Sequence, residues 1–348
     1  MWRLALRDLV WRRRRFAIAV IATALVFAIT LLLSGFYAAI DNEPGRIVRL
    51  VGADSWVVEA STIGPFNTTQ LVPGATIDGI AALPGVAKAE GIVVGHAATV
   101  IGGSPIDFNV LGVQPGGMVS PHIVEGTGLS GDGQAVLDER SSAKVGDQLH
   151  FGDVTLTVVG RASGVSFNFG IITVFTTIAD AQRASFAGQP FVTAVLTKGV
   201  PQALPAGLKA DTPAQVTADL RRPLSQGLQT INFVAGLLWF VAAGIVGSIV
   251  YLTALERTRD FAVLKATGAS NGALFASLGV QALVLSAAAA LLAVALGSLL
   301  GPVFPMQVTL QASSFVALMI LAIVVAVIGS AFGLRRAVTV DPALAFGG

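Results

Sequence analysis

From Ala266 to Leu334 the chain runs 69 residues without an Asp, Glu, Lys or Arg. An ionised side chain at the centre of a membrane helix costs about 2.5–3.5 kcal/mol on insertion scales. A silence of that length is therefore the mark of a chain built for hydrocarbon. Two further stretches share it: Phe16 to Ile40 (25 residues) and Pro223 to Leu255 (33 residues). Backbone groups in a bilayer must pair internally, so only helices and closed barrels cross it, and a helix needs about 20 mostly apolar residues. The composition agrees, with 54% hydrophobic and 12% charged residues, against roughly a quarter charged in a soluble domain. These figures exclude a disordered chain, a collagen-like chain and a plain soluble enzyme. Cysteine is absent, which removes disulfides, thiolate metal sites and a cysteine nucleophile.

The longest silent stretch is too long for one span. It breaks near Gly301, Pro302 and Pro305 and then passes polar Gln307, Thr309, Gln311, Ser313 and Ser314. The expectation is four spans, at 16–40, 223–255, 273–300 and 315–334, with a short outer loop at 301–314. A large insertion, 41–222, separates the first two. The net charge of +2 hides a partition. Residues 1–15, 256–272 and 335–348 hold 11 basic and 4 acidic residues, whereas 41–222 holds 11 basic and 16 acidic. Lys and Arg mark the cytoplasmic side. Both termini and the 256–272 loop are thus expected inside, and 41–222 and 301–314 outside. A signal peptide would explain the basic N-terminus, but its apolar core is about 7–15 residues long, and this one has 25. Residues 1–15 read equally as an interfacial helix, with Trp2, Leu6 and Leu9 on one face and Arg3, Arg7 and Arg14 on another, or as a basic flank.

The insertion mixes apolar runs with turn signals and is expected to fold as an α+β domain. Strands are predicted at Ser55–Ala60, Val86–Ile101, Ile106–Val113, Gln134–Asp138, Gln148–Phe151, Val154–Val159, Ile171–Thr176 and, as the last, Phe191–Thr197. Thr76 is expected to cap a short helix through Leu83, and Thr177–Phe186 is expected to be helical. A turn is predicted at Gly102-Gly103. From Pro213 the chain should be helical and run on into the second span. The 33 residues of that span reach about 50 Å at 1.5 Å each, against a hydrocarbon core of about 30 Å, so it is expected to project outward as a stalk.

Several motifs match in letters and fail in context. Gly126-Thr-Gly128-Leu-Ser-Gly131 fits GxGxxG, but a nucleotide fingerprint needs a strand before it and a helix after it; here a strand is expected to follow. Gly268-Ala-Ser270-Asn-Gly272 fits the GxSxG nucleophile pattern, yet His96, His122 and His150, the only histidines, are expected across the membrane from Ser270. Those histidines also lack zinc-ligand spacing. No GxxxxGK[ST] loop occurs, so the chain lacks a recognisable means of hydrolysing ATP. No span carries a charge, which argues against a proton relay. The basic N-terminus suits topology and anionic lipid rather than nucleic acid.

Glu256-Arg-Thr-Arg-Asp-Phe-Ala-Val-Leu-Lys-Ala-Thr-Gly-Ala-Ser270 is the most specific segment. It resembles the cytoplasmic motif of FtsX/MacB-type ABC transporter permeases, the type VII membrane subunits, a run like ERTREIGVLKALGAS. Asp260, Phe261, Ala262 and Thr267 depart from it modestly. The likeness extends to Thr76–Val86 ending Leu-Pro-Gly-Val, to Gln134–Gly160, to Asp180-Ala-Gln182 and to Arg335-Arg336 through Asp341-Pro342-Ala343. The resemblance implies an α-helical membrane protein with four transmembrane helices and an α+β extracytoplasmic domain between the first and second, in the bacterial inner or plasma membrane. It implies a subunit that is not itself an enzyme and binds no cofactor. ATP and Mg would sit on a cytoplasmic ABC ATPase dimer, and a second permease copy or paralogue would complete the complex. Membrane lipids and, outside, a periplasmic adaptor or a cell-wall hydrolase are further implied partners. The family couples ATP hydrolysis to motion of the outer domain, either to export a lipid, peptide or drug-like substrate or, as FtsX-like signalling subunits do, to activate an outer hydrolase without transport.

By the same resemblance 256–272 is a coupling helix and loop, with Glu256, Arg257, Arg259, Asp260, Phe261, Leu264, Lys265 and Gly268 as the ATPase-coupling residues. Their chemistry suits docking. On a helix Arg257, Phe261 and Leu264 lie at i+3/i+4 steps beside Glu256 and Asp260, an apolar anchor ringed by mixed charge. Gly268 is placed to end that helix.

Overall fold

The computed structural model describes residues 13–66, 70–101, 104–168, 170–256, 263, 266–268 and 270–301, and singly 316, 320, 324, 327 and 328. Residues 1–12 of the expected interfacial segment 1–15, the turn at Gly102-Gly103, residues 302–314 of the expected outer loop 301–314 and the tail 335–348 lie outside the described residues. So does most of the fourth expected span. Among the described residues three helices are long and apolar enough to cross a membrane: Phe16–Val51, Ser225–Ile249 and Gly272–Leu300. The chain divides into two compact units, Met1–Ala39 with Gly227–Gly348, and Ile40–Gln226.

In the first unit, helices α1 (Arg13–Val51), α5 (Ser225–Glu256) and α6 (Asn271–Leu300) pack through small side chains. Ala24 and Ala28 of α1 are buried with Ala242 of α5 and with Ala289, Ala290 and Ala293 of α6, around Phe27 and Leu31. Ala19, Val246, Leu274, Leu278, Ala282 and Leu285 form a second cluster. Lipid tails are as apolar as leucine, so small residues that allow close backbone approach drive such packing. The outward faces keep large apolar groups exposed, among them Phe233, Phe240, Leu291 and Leu299.

The unit Ile40–Gln226 is built on a ten-stranded mixed sheet. Its strands are β1 (Ser55–Glu59), β3 (Lys88–Ile101), β4 (Ser104–Val113), β5 (His122–Gly126), β6 (Gln134–Asp138), β7 (Gln148–Phe151), β8 (Val154–Ser163), β9 (Ile172–Thr177), β11 (Ala194–Lys198) and β12 (Leu208–Asp211). The order is β12-β1-β11-β3-β4-β9-β6-β8-β5, with β7 hanging on β8. The β4–β9 and β6–β8 pairs are parallel and the others antiparallel. A separate two-stranded sheet joins β2 (Val72–Pro73) to β10 (Phe191–Val192).

Both faces of the sheet are covered, so its central strands read as continuous apolar runs rather than alternating ones. Trp56, Val58, Ile92, Val94, Leu111 and Phe175 face one layer with Ile47, Val48 and Val51 of α1 and Val216 of α4 (Pro213–Arg221). Val57, Val93, Val110, Phe108 and Leu137 face the other, with Ile80 of α2 (Thr76–Ala81) and Ala181 of α3 (Ile178–Phe186). Aromatic contacts pin each layer: Trp56 to Phe66 at 5.7 Å and Phe108 to Phe151, edge on, at 5.7 Å.

Several expectations are corrected. The first helix does not stop at Ile40 but runs 39 residues to Val51, about 58 Å. Charged Asp41 and Glu43 ended the silent stretch in the sequence, whereas the helix continues because Ile47, Val48 and Val51 still have a core to enter. The helix from Pro213 does not merge with the second span: α4 ends at Arg221 and α5 begins at Ser225. Pro223 stands in the break and has no N–H to continue the ladder. Thr76 does not cap α2; the cap is Ala75 without a side-chain bond, and the Thr76 hydroxyl instead donates to the Pro73 carbonyl at 2.6 Å. The run Phe191–Thr197 splits into two strands in different sheets, and β12 comes after it as the true last strand. Thr177, expected only as part of a helix, caps α3, accepting from the Asp180 N–H.

Candidate functional site

The expected coupling segment begins where α5 ends, at the exposed Glu256. Arg257, Arg259, Asp260, Phe261, Leu264 and Lys265 lie outside the described residues. The end of the segment is defined. Val263 and Ala266 are helical, and the Thr267 N–H and hydroxyl both donate to the Val263 carbonyl, at 3.0 and 3.2 Å. Gly268 then turns the chain with φ +94°, a conformation that costs a residue with a Cβ but not glycine. Ser270 caps α6, its hydroxyl accepting from the Ala273 N–H at 3.3 Å. A helical turn, a glycine stop and a serine start therefore lead from the charged segment into the next apolar helix. The structure places Glu256 and Gly268 at the two ends of this connection.

The alternative chemical motifs resolve into architecture. Ser270 is committed to a cap. His122 and His150 are exposed, and each meets a neighbouring hydroxyl, Ser163 at 3.2 Å and Thr155 at 3.0 Å; His96 is exposed on β3. Among the described residues no group of three or more His, Asp or Glu is arranged to hold a metal. Gly126 ends β5 against the Val159 carbonyl, and a loop then leads into strand β6 rather than a helix.

Asp180 carries more structure than its sequence position implies. Its carboxylate is fully buried, accepts from the Gly133 N–H at 2.6 Å, and pairs with Arg183. The Thr177 hydroxyl donates to Asp132 at 2.5 Å. Together these bonds tie the start of α3 to the loop before β6.

Sequence reasoning did not anticipate a cavity of about 450 Å³ in the Ile40–Gln226 unit. One wall is the segment Ile63-Gly64-Pro65-Phe66 and the other is α4 with the residues after it, including Val216, Leu220, Arg222 and Pro223. Gly64 allows the close approach: its φ is +111°, and an added Cβ would stand 3.1 Å from the Asp219 Cβ. Phe66 is held from behind by Trp56 and by Phe167, edge on, at 5.5 Å. Asp219 and Arg222 form an ion pair at 3.3 Å at the rim. Arg221 reaches the other way, donating to the carbonyl and the carboxylate of Asp41, both at 2.9 Å. A Gly-Pro-Phe run in a loop and a proline just before a span were the available signals.

Residues 232–342 match the family profile described as FtsX-like permease C-terminal. An ABC transporter permease of Mycobacterium bovis is 39% identical over 346 residues, covering 99% of each chain. Another, from Mycobacterium tuberculosis, is 38% identical over the same length and coverage. Among solved structures, the periplasmic region of MacB from Actinobacillus actinomycetemcomitans aligns with 50% of this chain and 96% of its own, at 10% identity and a TM-score of 0.37. The extracellular domain of the transporter YknZ from Gram-positive bacteria aligns with 42% of this chain and 84% of its own, at 13% identity and a TM-score of 0.34. With relatives alike over nearly the whole length and the permease profile spanning α5 and α6, the chain belongs to the FtsX-like family of ABC transporter permeases.

Proposed function

We propose that this chain is the membrane subunit of an ABC exporter. Its 256–272 connection docks on a separate cytoplasmic ATPase dimer, and ATP-driven closure of that dimer moves the Ile40–Gln226 unit outside the membrane. ATP and Mg belong to the ATPase in this reading, and a second permease copy or paralogue completes the complex. The observation that carries it is the connection itself. Between two long apolar helices the chain places a short charged segment closed by Gly268, and the full-length relatives are ABC transporter permeases. Glu256, Arg257, Arg259, Asp260 and Lys265 supply charge to it, and Phe261 and Leu264 the apolar anchor; the charge-free stretches 16–40, 223–255 and 266–334 supply no relay of their own. The cargo is a lipid, peptide or drug-like molecule handled on the outer side.

The test is affinity purification of the full chain from its own membranes. An ABC ATPase should co-purify, and the double variant R257E/R259E should lower its recovery at least tenfold while leaving the permease in the membrane. ATP-dependent efflux should fall with it. Undiminished recovery of the ATPase with the double variant would sink the docking assignment. Recovery of a cell-wall hydrolase with no measurable efflux would replace export with signalling.

A further inference from the structure

We propose that the cavity between Ile63–Phe66 and α4 binds an anionic lipid drawn from the outer leaflet, its acyl end beside Ile63, Phe66, Val216 and Leu220 and its headgroup on Arg222. The inference rests on reading Ile40–Gln226 as the extracytoplasmic part of a permease; it does not rest on the ATPase coupling.

Three observations lead there. The first is place. Pro223, which closes one wall, stands two residues before Ser225, where a 25-residue apolar helix begins. Two residues of extended chain reach at most about 7 Å, so that wall is joined almost directly to a helix long and apolar enough to cross a bilayer. The second is chemistry. The lining is mostly apolar and its rim carries a guanidinium whose side chain is 67% exposed, beside a carboxylate that is only 16% exposed. A single contact at 3.3 Å occupies one end of the Arg222 fork, and the rest of that planar donor set suits a phosphate. The third is preparation. Gly64 and the tilted Phe66–Trp56 ring contact hold the mouth in shape, and about 450 Å³ falls within the roughly 300–1,000 Å³ of ligand sites. A peptide strand would seek a sheet edge, whereas the residues named in both walls are loop and helix. An apolar chain with one anionic end fits them better.

The experiment uses the full chain in bilayer nanodiscs containing phosphatidylglycerol with a diazirine in its acyl chain. After irradiation the labelled peptides are mapped by mass spectrometry. Label is expected on peptides containing 63–66 or 213–223, as well as on the apolar helices. I63E should lower the cavity label at least tenfold, and label on 225–249 serves as the internal measure that the fold and bilayer contact are kept. R222Q should lower cavity label from phosphatidylglycerol at least fivefold and leave label from a diazirine diacylglycerol, which lacks the anionic headgroup, unchanged. Label confined to the apolar helices would overturn the proposal, as would cavity label indifferent to I63E, or label obtained only with a soluble diazirine fatty acid. A permease that stimulates its ATPase yet fails this test loses the lipid site and keeps its function. One that passes it without any ATPase partner keeps the lipid site alone.

Discussion

Replacing Asp180 separates a structural carboxylate from a functional one. The side chain is fully buried and accepts the Gly133 N–H at 2.6 Å. A hydrogen bond to a charged group contributes about 1.5–3 kcal/mol, and a buried N–H left without an acceptor costs about as much. An acid in the first turn of α3 adds about 0.3–1 kcal/mol against the helix dipole. The other partners add little. The Thr176 hydroxyl has a shorter acceptor in the Gln134 carbonyl, at 2.8 against 3.3 Å, and Arg183 is 55% exposed and can be solvated. Asp180→Ala is therefore expected to destabilise the Ile40–Gln226 unit by about 2–3 kcal/mol, and Asp180→Asn, which keeps an oxygen facing Gly133, by about 1 kcal/mol. Pulse proteolysis of the detergent-purified full chain across a urea gradient reads this, scored on fragments cut within 40–226. A D180A chain within about 0.5 kcal/mol of the parent, or D180N as damaging as D180A, would refute the reasoning.

Three other substitutions grade the same assay. Phe175→Ala empties a fully buried aromatic site in the sheet and should cost about 3–5 kcal/mol. Gly64→Ala meets both a positive φ and the Asp219 side chain, and should cost about 1–3 kcal/mol while lowering lipid label at the cavity. Arg221→Ala removes the bonds to Asp41, but a side chain 46% exposed should register less than about 1 kcal/mol by urea midpoint, because solvent screens the pair. An R221A loss equal to that of F175A would mean that the tie between α4 and α1 does more than join two exposed groups.

What could be read early was whatever leaves a periodic or compositional trace. Charge silence marked α1, α5 and α6, because hydrocarbon penalises every exception. The strands expected at Gln134–Asp138 and Gln148–Phe151 are β6 and β7 to the residue; for β7 the signal is a short apolar run bracketed by two turn pairs, Gly146-Asp147 and Gly152-Asp153. The helix expected at Thr177–Phe186 stands at Ile178–Phe186, with Thr177 as its cap. Expectation failed where tertiary context overrode local signals. Thr76 looks like a cap, yet the helix is entered from Ala75, and the Thr76 hydroxyl donates back to the Pro73 carbonyl. Phe191–Thr197 is one run by composition but two strands by partner, because Thr193 lies between them with its hydroxyl bonded to the Ile92 carbonyl. Strand β12, Leu208–Asp211, is short and half-buried at the sheet edge, which leaves no alternation to detect.

The two candidate sites differ in legibility for a physical reason. The 256–270 connection is local: charge, an apolar anchor, a glycine stop and a serine cap succeed one another in sequence, so adjacency along the chain is adjacency in function. The cavity draws its walls from residues about 150 positions apart, and neither wall is unusual alone. Val216 and Leu220 are spaced i+4, as on any helix that buries one face, and Gly64-Pro65-Phe66 reads as an ordinary turn. They become a site only because α4 packs its Val216 into the Trp56 layer while Phe66 packs on Trp56 itself. Trp56 thus sets the distance between the walls, although it is not among the residues that line the space. A substitution such as Trp56→Phe is expected to lower lipid label at the cavity through Phe66, without touching the lipid, and to leave binding of the ATPase at 256–272 unchanged. Equal loss at both would mean that Trp56 acts through the stability of the whole chain rather than through the cavity wall.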